Sequence, residues 1–202
     1  MIIMKLTWYG HACFLLETAE GSAVFDPYEK GSVPGLSLPD LTADAVFCSH
    51  GHRDHCAAGA VKLTGKTTTF TVKQTECFHD DKNGRLRGKN LITVIEAEGL
   101  RVAHLGDLGH ELDEKELSVI CGADVLMIPV GGFYTIDGKT AAKIAKAANA
   151  GVIIPMHYRG EGFGYDVIST AEDFLSCFEN VYYTGTSAVS VPAGPGVYIP
   201  CL

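Results

Sequence analysis

The chain has 202 residues, 47% of them hydrophobic and 20% charged, and carries a formal net charge of −8. That length suits one domain over residues 1–202 with a sizeable core, and no apolar run approaches the length needed to cross a bilayer. The acidic balance excludes a general nucleic-acid binder, which needs an excess of Lys and Arg on some face. Seven cysteines, an odd number with no Cys-x-x-Cys pair, point to reduced thiols in a cytoplasmic protein. The first residues lack the basic, apolar and small-residue parts of a secretory signal.

Ile2 to Tyr9, Ala12 to Glu17 and Ala23 to Phe25 read as consecutive strands of a meander, the last stopped by Asp26-Pro27. Tyr28 to Asp40 is rich in Gly, Pro and Ser and forms a long loop of a kind that is often functional. The apolar run Ala45 to Cys48 then leads into Ser49-His50-Gly51-His52-Arg53-Asp54-His55, three imidazoles and one carboxylate within six positions. Residues two apart on an extended segment face the same way, so His50 and His52 can close on one cation. Asp54 and His55 follow a turn into a short helix over Cys56 to Leu63, which aims them at a neighbouring position. Imidazole and carboxylate are donors that suit zinc and, more loosely, manganese or iron. A merely polar, histidine-rich loop is the weaker reading, because the tract is not low-complexity and carries an acid at a fixed offset.

Thr67 to Val72 is β-like, and Leu91 to Ala97 with Leu100 to Leu105 forms a hairpin around Glu98-Gly99. Helices are expected over Leu112 to Ile120, Thr140 to Ala150 and Thr170 to Phe178, with buried strands at Val125 to Ile128 and Val152 to Pro155 and a β-like run at Val181 to Tyr183. Strands first and βα units afterwards predict two mixed sheets packed together with helices outside, an α/β sandwich.

Three further polar residues end apolar strands: His79 after Thr71 to Phe78, Asp107 after Val102 to Leu105, and His157 after Val152 to Met156. Strand ends in layered α/β folds converge on one edge, so these residues and the 50–55 cluster can share a pocket. A capping role for Asp107 and a core-edge role for His157 are the alternatives, and both weaken beside the cluster.

The series His50-Gly51-His52-Arg53-Asp54-His55, His79, Gly106-Asp107 and His157 resembles the metallo-β-lactamase superfamily over essentially the whole chain. Trp8-Tyr9-Gly10-His11, Phe25-Asp26-Pro27, Arg87-Gly88-Lys89-Asn90, His104 to His110, Pro129 to Gly132 and Pro155 to Tyr158 resemble the small metal-dependent hydrolases grouped with ascorbate-6-phosphate lactonase. The resemblance implies an αββα four-layer sandwich with a dinuclear site: His50, His52 and His79 on the first metal, Asp54, His55 and His157 on the second, Asp107 bridging. Asp26 matches an early aspartate that supports the loop without binding metal. Segment Cys77 to Asp81 lacks the Gly-His signature of other branches, and no room remains for the added domains of nucleic-acid-processing or glyoxalase II members.

The expected cofactors are two divalent cations, Zn2+ first, with Mn2+ or Fe serving the same donors. Such ions about 3.5–4 Å apart lower the pKa of a bound water and present hydroxide as nucleophile, with Asp54 and Asp107 as catalytic carboxylates. The positive pocket favours a small anionic ester, lactone or phosphodiester. Arg87, within Arg85-Leu86-Arg87-Gly88-Lys89, is the preferred anion-binding residue, and a solvated loop is its alternative. His110 and Tyr134 are expected at the substrate. His11 and His110 are outer donors or a proton relay at the pocket mouth, and His104 either supports the site from behind or packs. Two other classes stay open: a di-iron redox protein with a separate flavin partner, and a non-catalytic metal sensor. Homo-oligomerisation stays open too.

Overall fold

The structure is a computed structural model that describes residues 4–202. Its first half contains β1 (Met4–Trp8), β2 (Phe14–Thr18), β3 (Gly21–Phe25), β4 (Leu41–Ala43), β5 (Ala45–Phe47), β6 (Val61–Leu63), β7 (Thr71–Phe78) and β8 (Lys89–Ala97). The second half contains β9 (Leu100–His104), α1 (Glu114–Ile120), β10 (Val125–Pro129), α2 (Gly138–Ala148), β11 (Val152–Met156), α3 (Glu172–Leu175), β12 (Val181–Tyr183), β13 (Ala188–Val191) and β14 (Gly196–Ile199). Residues 2 and 3 of the expected first strand lie outside the described residues.

The expected meander forms: β1, β2 and β3 pair antiparallel, with Phe14 opposite both Trp8 and Phe25. β5 adds in parallel to β3 and β13 closes the other edge on β1, giving a five-stranded sheet. The seven-stranded sheet runs β12-β14-β11-β10-β9-β8-β7, parallel on the βα side and antiparallel through the β8–β9 hairpin. That hairpin turns at Glu98 and Gly99, both at positive φ (55° and 76°), as a two-residue turn with the right twist requires.

Side-chain alternation decides where the core lies. Leu6, Trp8, Phe14, Leu16 and Phe25 point inward and join Ile95, Val102, Val125, Met127 and Ile154, which share the His104 face of the second sheet, in the cluster between the sheets. Leu15 and Val24 point the other way, into a second cluster with Cys13, Tyr28, Val33, Leu41, Ala43 and Val61. The helical cover belongs to the seven-stranded sheet, where α2 packs on β10, α1 and α3. Asp137 caps α2 by accepting from the Thr140 N–H (2.7 Å), and Asn149 ends it at φ 50°, so that the helix stops at Ala148, short of the expected Ala150. Asp113 and Glu116 form a capping box at the start of α1.

The layered α/β sandwich is thus borne out, with one outer layer different from expectation. The five-stranded sheet is covered by loop 28–40 and the β4–β6 ribbon. The helix expected over Cys56 to Leu63 is a single 3-10 turn, Ala58–Ala60, followed by β6. Its Gly59 and β-branched Val61 leave no helical stripe, and Val61 reaches burial only by pairing with Leu41. Among the described residues no helix is long and apolar enough to cross a membrane.

Candidate metal centre

Asp26, just past β3 and at φ 42°, organises the histidine-rich loop from beneath. Its buried carboxylate accepts from the Ser49 N–H (2.6 Å), the Ser49 hydroxyl (2.6 Å) and His55 Nδ1–H (2.8 Å). The Ser49 hydroxyl also meets His50 Nδ1 at 2.9 Å. With both Nδ1 atoms engaged, the Nε2 atoms of His50 and His55 face inward, buried and without a hydrogen-bond partner. Residues 49–55 are bends and a turn closed by the His55 and Cys56 N–H groups on the His52 carbonyl (3.0 and 2.9 Å), not the extended segment that the spacing predicts. His50 and His52 nevertheless converge, their ring centroids 4.5 Å apart.

The seven-stranded sheet delivers three more groups from strand ends. His79 follows β7, Asp107 lies three residues past β9, and His157 follows β11 at φ 53°. Asn90, fully buried, donates to the Leu105 carbonyl (2.8 Å) and accepts from the Asp107 N–H (2.9 Å), which sets the carboxylate's direction. Two glycines flanking Asp107 are steric necessities. A Cβ on Gly106 (φ 54°) would sit 2.4 Å from Asn90 Oδ1 and Ser49 Cβ, and one on Gly109 would sit 2.3 Å from the His79 carbonyl carbon.

These segments meet at one atom. Asp107 Oδ2 lies 3.1 Å from His55 Nε2, 3.2 Å from His157 Nε2, 3.3 Å from His79 Nε2 and 4.0 Å from His50 Nε2. Donor atoms of His50, His52 and His79 lie within 4.8 Å of one another, as do those of His11, Asp54, His55 and His157, and those of His50, His55 and Asp107. Unpartnered, inward-facing His50 Nε2, His55 Nε2 and Asp107 Oδ1 are costly in a dry interior and fit divalent cations, which use such lone pairs. Neither Cys48 nor Cys56 is part of these groups.

Electrostatics agree. Burial, aided by neighbouring imidazoles, lowers the pKa of His11 and of His50 to about 3, so both rings are neutral with a lone pair free. Burial opposes charge on Asp107, yet His157 and His55 outweigh it and hold that carboxyl well below its ordinary range. For Asp54 burial is likewise outweighed, by His11 and His55. His55 is also desolvated, but the Asp107 and Asp26 carboxylates raise it well above an ordinary histidine.

The groups open on a cavity of about 220 Å³ lined by His52, Asp54, His79, Asp107 and His157 and, on its outer side, Arg87, Tyr134 and Tyr165. Arg87 donates to the Phe133 carbonyl (3.0 Å) and lies 5.5 Å from the centre of the Tyr134 ring. Lys89 instead pairs with Glu76. His110 is not brought to this cavity. Its Nδ1–H donates to the Glu111 carbonyl and its Nε2 accepts from the Phe78 N–H, so both nitrogens serve the backbone beside a neighbouring cavity. His104 packs flat on Phe25 (5.0 Å) and bonds the Ala12 carbonyl (2.9 Å) and Gly106 N–H (3.1 Å), linking the two sheets.

Two participants escape a reading by sequence, and a third, His11, is placed differently from its expectation. Tyr165 shares its one hydroxyl proton between the Ser32 carbonyl (2.6 Å) and Asp54 Oδ2 (3.1 Å), from a segment whose only signal is glycine content. Asn90 begins an apolar strand where an amide looks incidental. His11 sits deep in the cluster, not at its mouth, its ring 4.1 Å from that of His157.

The Beta-lactamase superfamily domain matches residues 5–157. A UPF0173 metal-dependent hydrolase of Carboxydothermus hydrogenoformans is 30% identical, over 77% of this chain and 84% of that one. A solved structure from Thermotoga maritima, assigned to the metallo-beta-lactamase superfamily as a Zn-dependent hydrolase, is 36% identical with a TM-score of 0.79 and 98% of each chain covered. Igni18, a metallo hydrolase from Ignicoccus hospitalis, shares the fold at 21% identity and a TM-score of 0.63, with 86% of this chain and 89% of that one covered. The matched span and the two packed sheets lead to one conclusion: this chain belongs to the metallo-beta-lactamase superfamily.

Proposed function

We propose that this protein is a metal-dependent hydrolase of a small anionic ester, lactone or phosphodiester. The observation that carries the reading is the single oxygen, Asp107 Oδ2, ringed by imidazole nitrogens from separate segments. His50, His52 and His79 would hold one cation, Asp54, His55 and His157 another, and Asp107 would bridge them. A divalent pair supplies Lewis acidity and a water acidified towards neutrality, with Zn2+ the first choice and Mn2+ or Fe alternatives for the same donors.

The chain's own residues do the remaining work. Asp54 and Asp107 are held ionised, and two carboxylates offset only part of the charge of two dications, which favours an anionic substrate. Arg87 stands at the cavity with a planar guanidinium suited to a carboxylate or phosphate. Tyr134 backs that guanidinium, and the Tyr165 hydroxyl holds Asp54 towards the cavity. A volume of about 220 Å³ admits a small molecule.

Elemental analysis of purified protein, followed by an ester, lactone and phosphodiester panel with the identified metal, tests the reading. Bound metal and metal-dependent turnover of anionic substrates are expected; neither metal binding nor turnover would overturn it. Arg87→Ala should raise KM for an anionic substrate roughly tenfold to a hundredfold, the size of one charged hydrogen-bond group, while metal content stays unchanged. An equal effect on a neutral analogue would remove Arg87 from the anion-binding role.

A further inference from the structure

We infer that His11 supplies an additional imidazole to the second cation position, beside Asp54, His55 and His157. The inference rests on the reading of the cluster as a two-cation site. Sequence places His11 in a Gly-His turn between β1 and β2, 39 residues or more from the other donors, and nothing local marks it as a ligand.

Burial and geometry mark it. The residue is 1% exposed, and both ring nitrogens are buried without a hydrogen-bond partner. A histidine kept only for packing normally finds a carbonyl or hydroxyl for its N–H, because an unpaired buried polar group is costly. His104 shows that ordinary solution a few residues' breadth away, with both nitrogens bonded to backbone. His11 Nε2 has instead Asp54 Oδ2 at 3.4 Å, and its ring centre lies 4.1 Å from that of His157 and 4.9 Å from that of His55. The four donor atoms fall within 4.8 Å of one another. Donor atoms bound to one zinc at about 2.0–2.2 Å lie no more than about 4.4 Å apart, so the four side chains would draw inward on a cation.

The backbone is built to hold the ring there. His11 adopts φ 53°, a left-handed conformation that costs a non-glycine residue free energy and persists where a side chain is required. Its carbonyl is clamped by the Trp8 indole N–H (3.1 Å) and by the His157 N–H (3.1 Å), so the first sheet's turn and the second sheet's strand end are tied at the site itself. Trp8 is in turn stacked on Tyr158 at 5.6 Å. With His11 counted, the second position has three imidazoles and one carboxylate of its own before Asp107 is added. The first has three imidazoles.

The test uses protein labelled with nitrogen-15 in its histidine rings and loaded with cadmium-113 in place of zinc. His11→Asn, which tolerates left-handed φ, identifies the His11 signals, and His11→Gly serves the same purpose if the asparagine variant fails to fold. One-bond coupling between a His11 ring nitrogen and cadmium is expected, together with weaker retention of one of two ions in the variant against a chelator. Coupling at His50, His55 and His157 but not at His11 would overturn this inference alone. Absence of coupling at every histidine would instead overturn the two-cation reading. Unchanged retention of both ions in a folded variant would also count against His11.

Discussion

The two halves of the metal centre are assembled by different means. Four candidate donors, His50, His52, Asp54 and His55, come from one six-residue stretch, anchored from below by Asp26 and Ser49. His79, Asp107 and His157 come singly from three strand ends of the other sheet and reach the site only because β7, β9 and β11 are in register. The first half is a local device whose donors stay neighbours in any conformation of the chain. The second exists only in the folded sheet, and so couples the site to global stability.

Replacing one residue on each side probes that contrast. Asp107→Ala should have the largest effect: the fold stays largely intact, while metal is stripped out and hydrolysis of ester or phosphodiester probes disappears. Full metal content in that variant would contradict the convergence on Asp107 Oδ2. Asp26→Ala should weaken metal binding roughly 10–100-fold, the usual cost of losing a partner that orients a ligand, because His55 and Ser49 lose their common acceptor. If the loop were self-sufficient, calorimetric metal titration of this variant would match the parent protein.

Asn90→Leu tests the strand-end side at smaller cost. The Leu105 carbonyl and Asp107 N–H would lose buried partners, for a stability loss of about 1–3 kcal/mol in denaturant unfolding, together with weaker metal binding. A stability loss with unchanged metal affinity would show that Asp107 is directed by something else.

The mildest probe is pH, applied to metal-free protein. Burial lowers His11, His50, His79 and His104 below their ordinary value near 6.5. Between that value and their lower folded values the unfolded chain binds more protons, so stability falls as pH drops from about 6.5 towards 3, where His11 and His50 titrate. His55, raised in the folded state, contributes stability that is complete below pH 6.5 and is lost as pH rises through its folded value. Thermal midpoints should therefore peak near neutrality and decline on both sides, more steeply on the acid side. A midpoint that rises on acidification would mean that these rings are not held neutral.

Legibility in the sequence follows the same division. The meander, the Glu98-Gly99 hairpin and helix α2 were readable because alternation, a two-residue turn and an alanine-rich run act over a few positions, whereas the Asp137 cap emerged only in the structure. Strands β4, β13 and β14 were not, since three or four residues carry too little periodicity and are stabilised by partners far along the chain. At the site, spacing led to His50 and His52 for a partly mistaken reason: a bent loop, not an extended one, brings them together. His110 looked equivalent to other turn histidines, and only its two backbone hydrogen bonds remove it from the cavity.

What the amino-acid sequence determined alone is the chemistry on offer: a run of imidazoles and an acid after an apolar strand, with further His and Asp residues where strands stop. Tertiary structure decided which of these share a space, placing His11 against His157 and Tyr165 on Asp54 across 111 positions of chain. The physical reason is that periodicity reports which face of a strand a side chain occupies, whereas the meeting of two sheets depends on the packing of Trp8, Phe14, Phe25 and their partners between them.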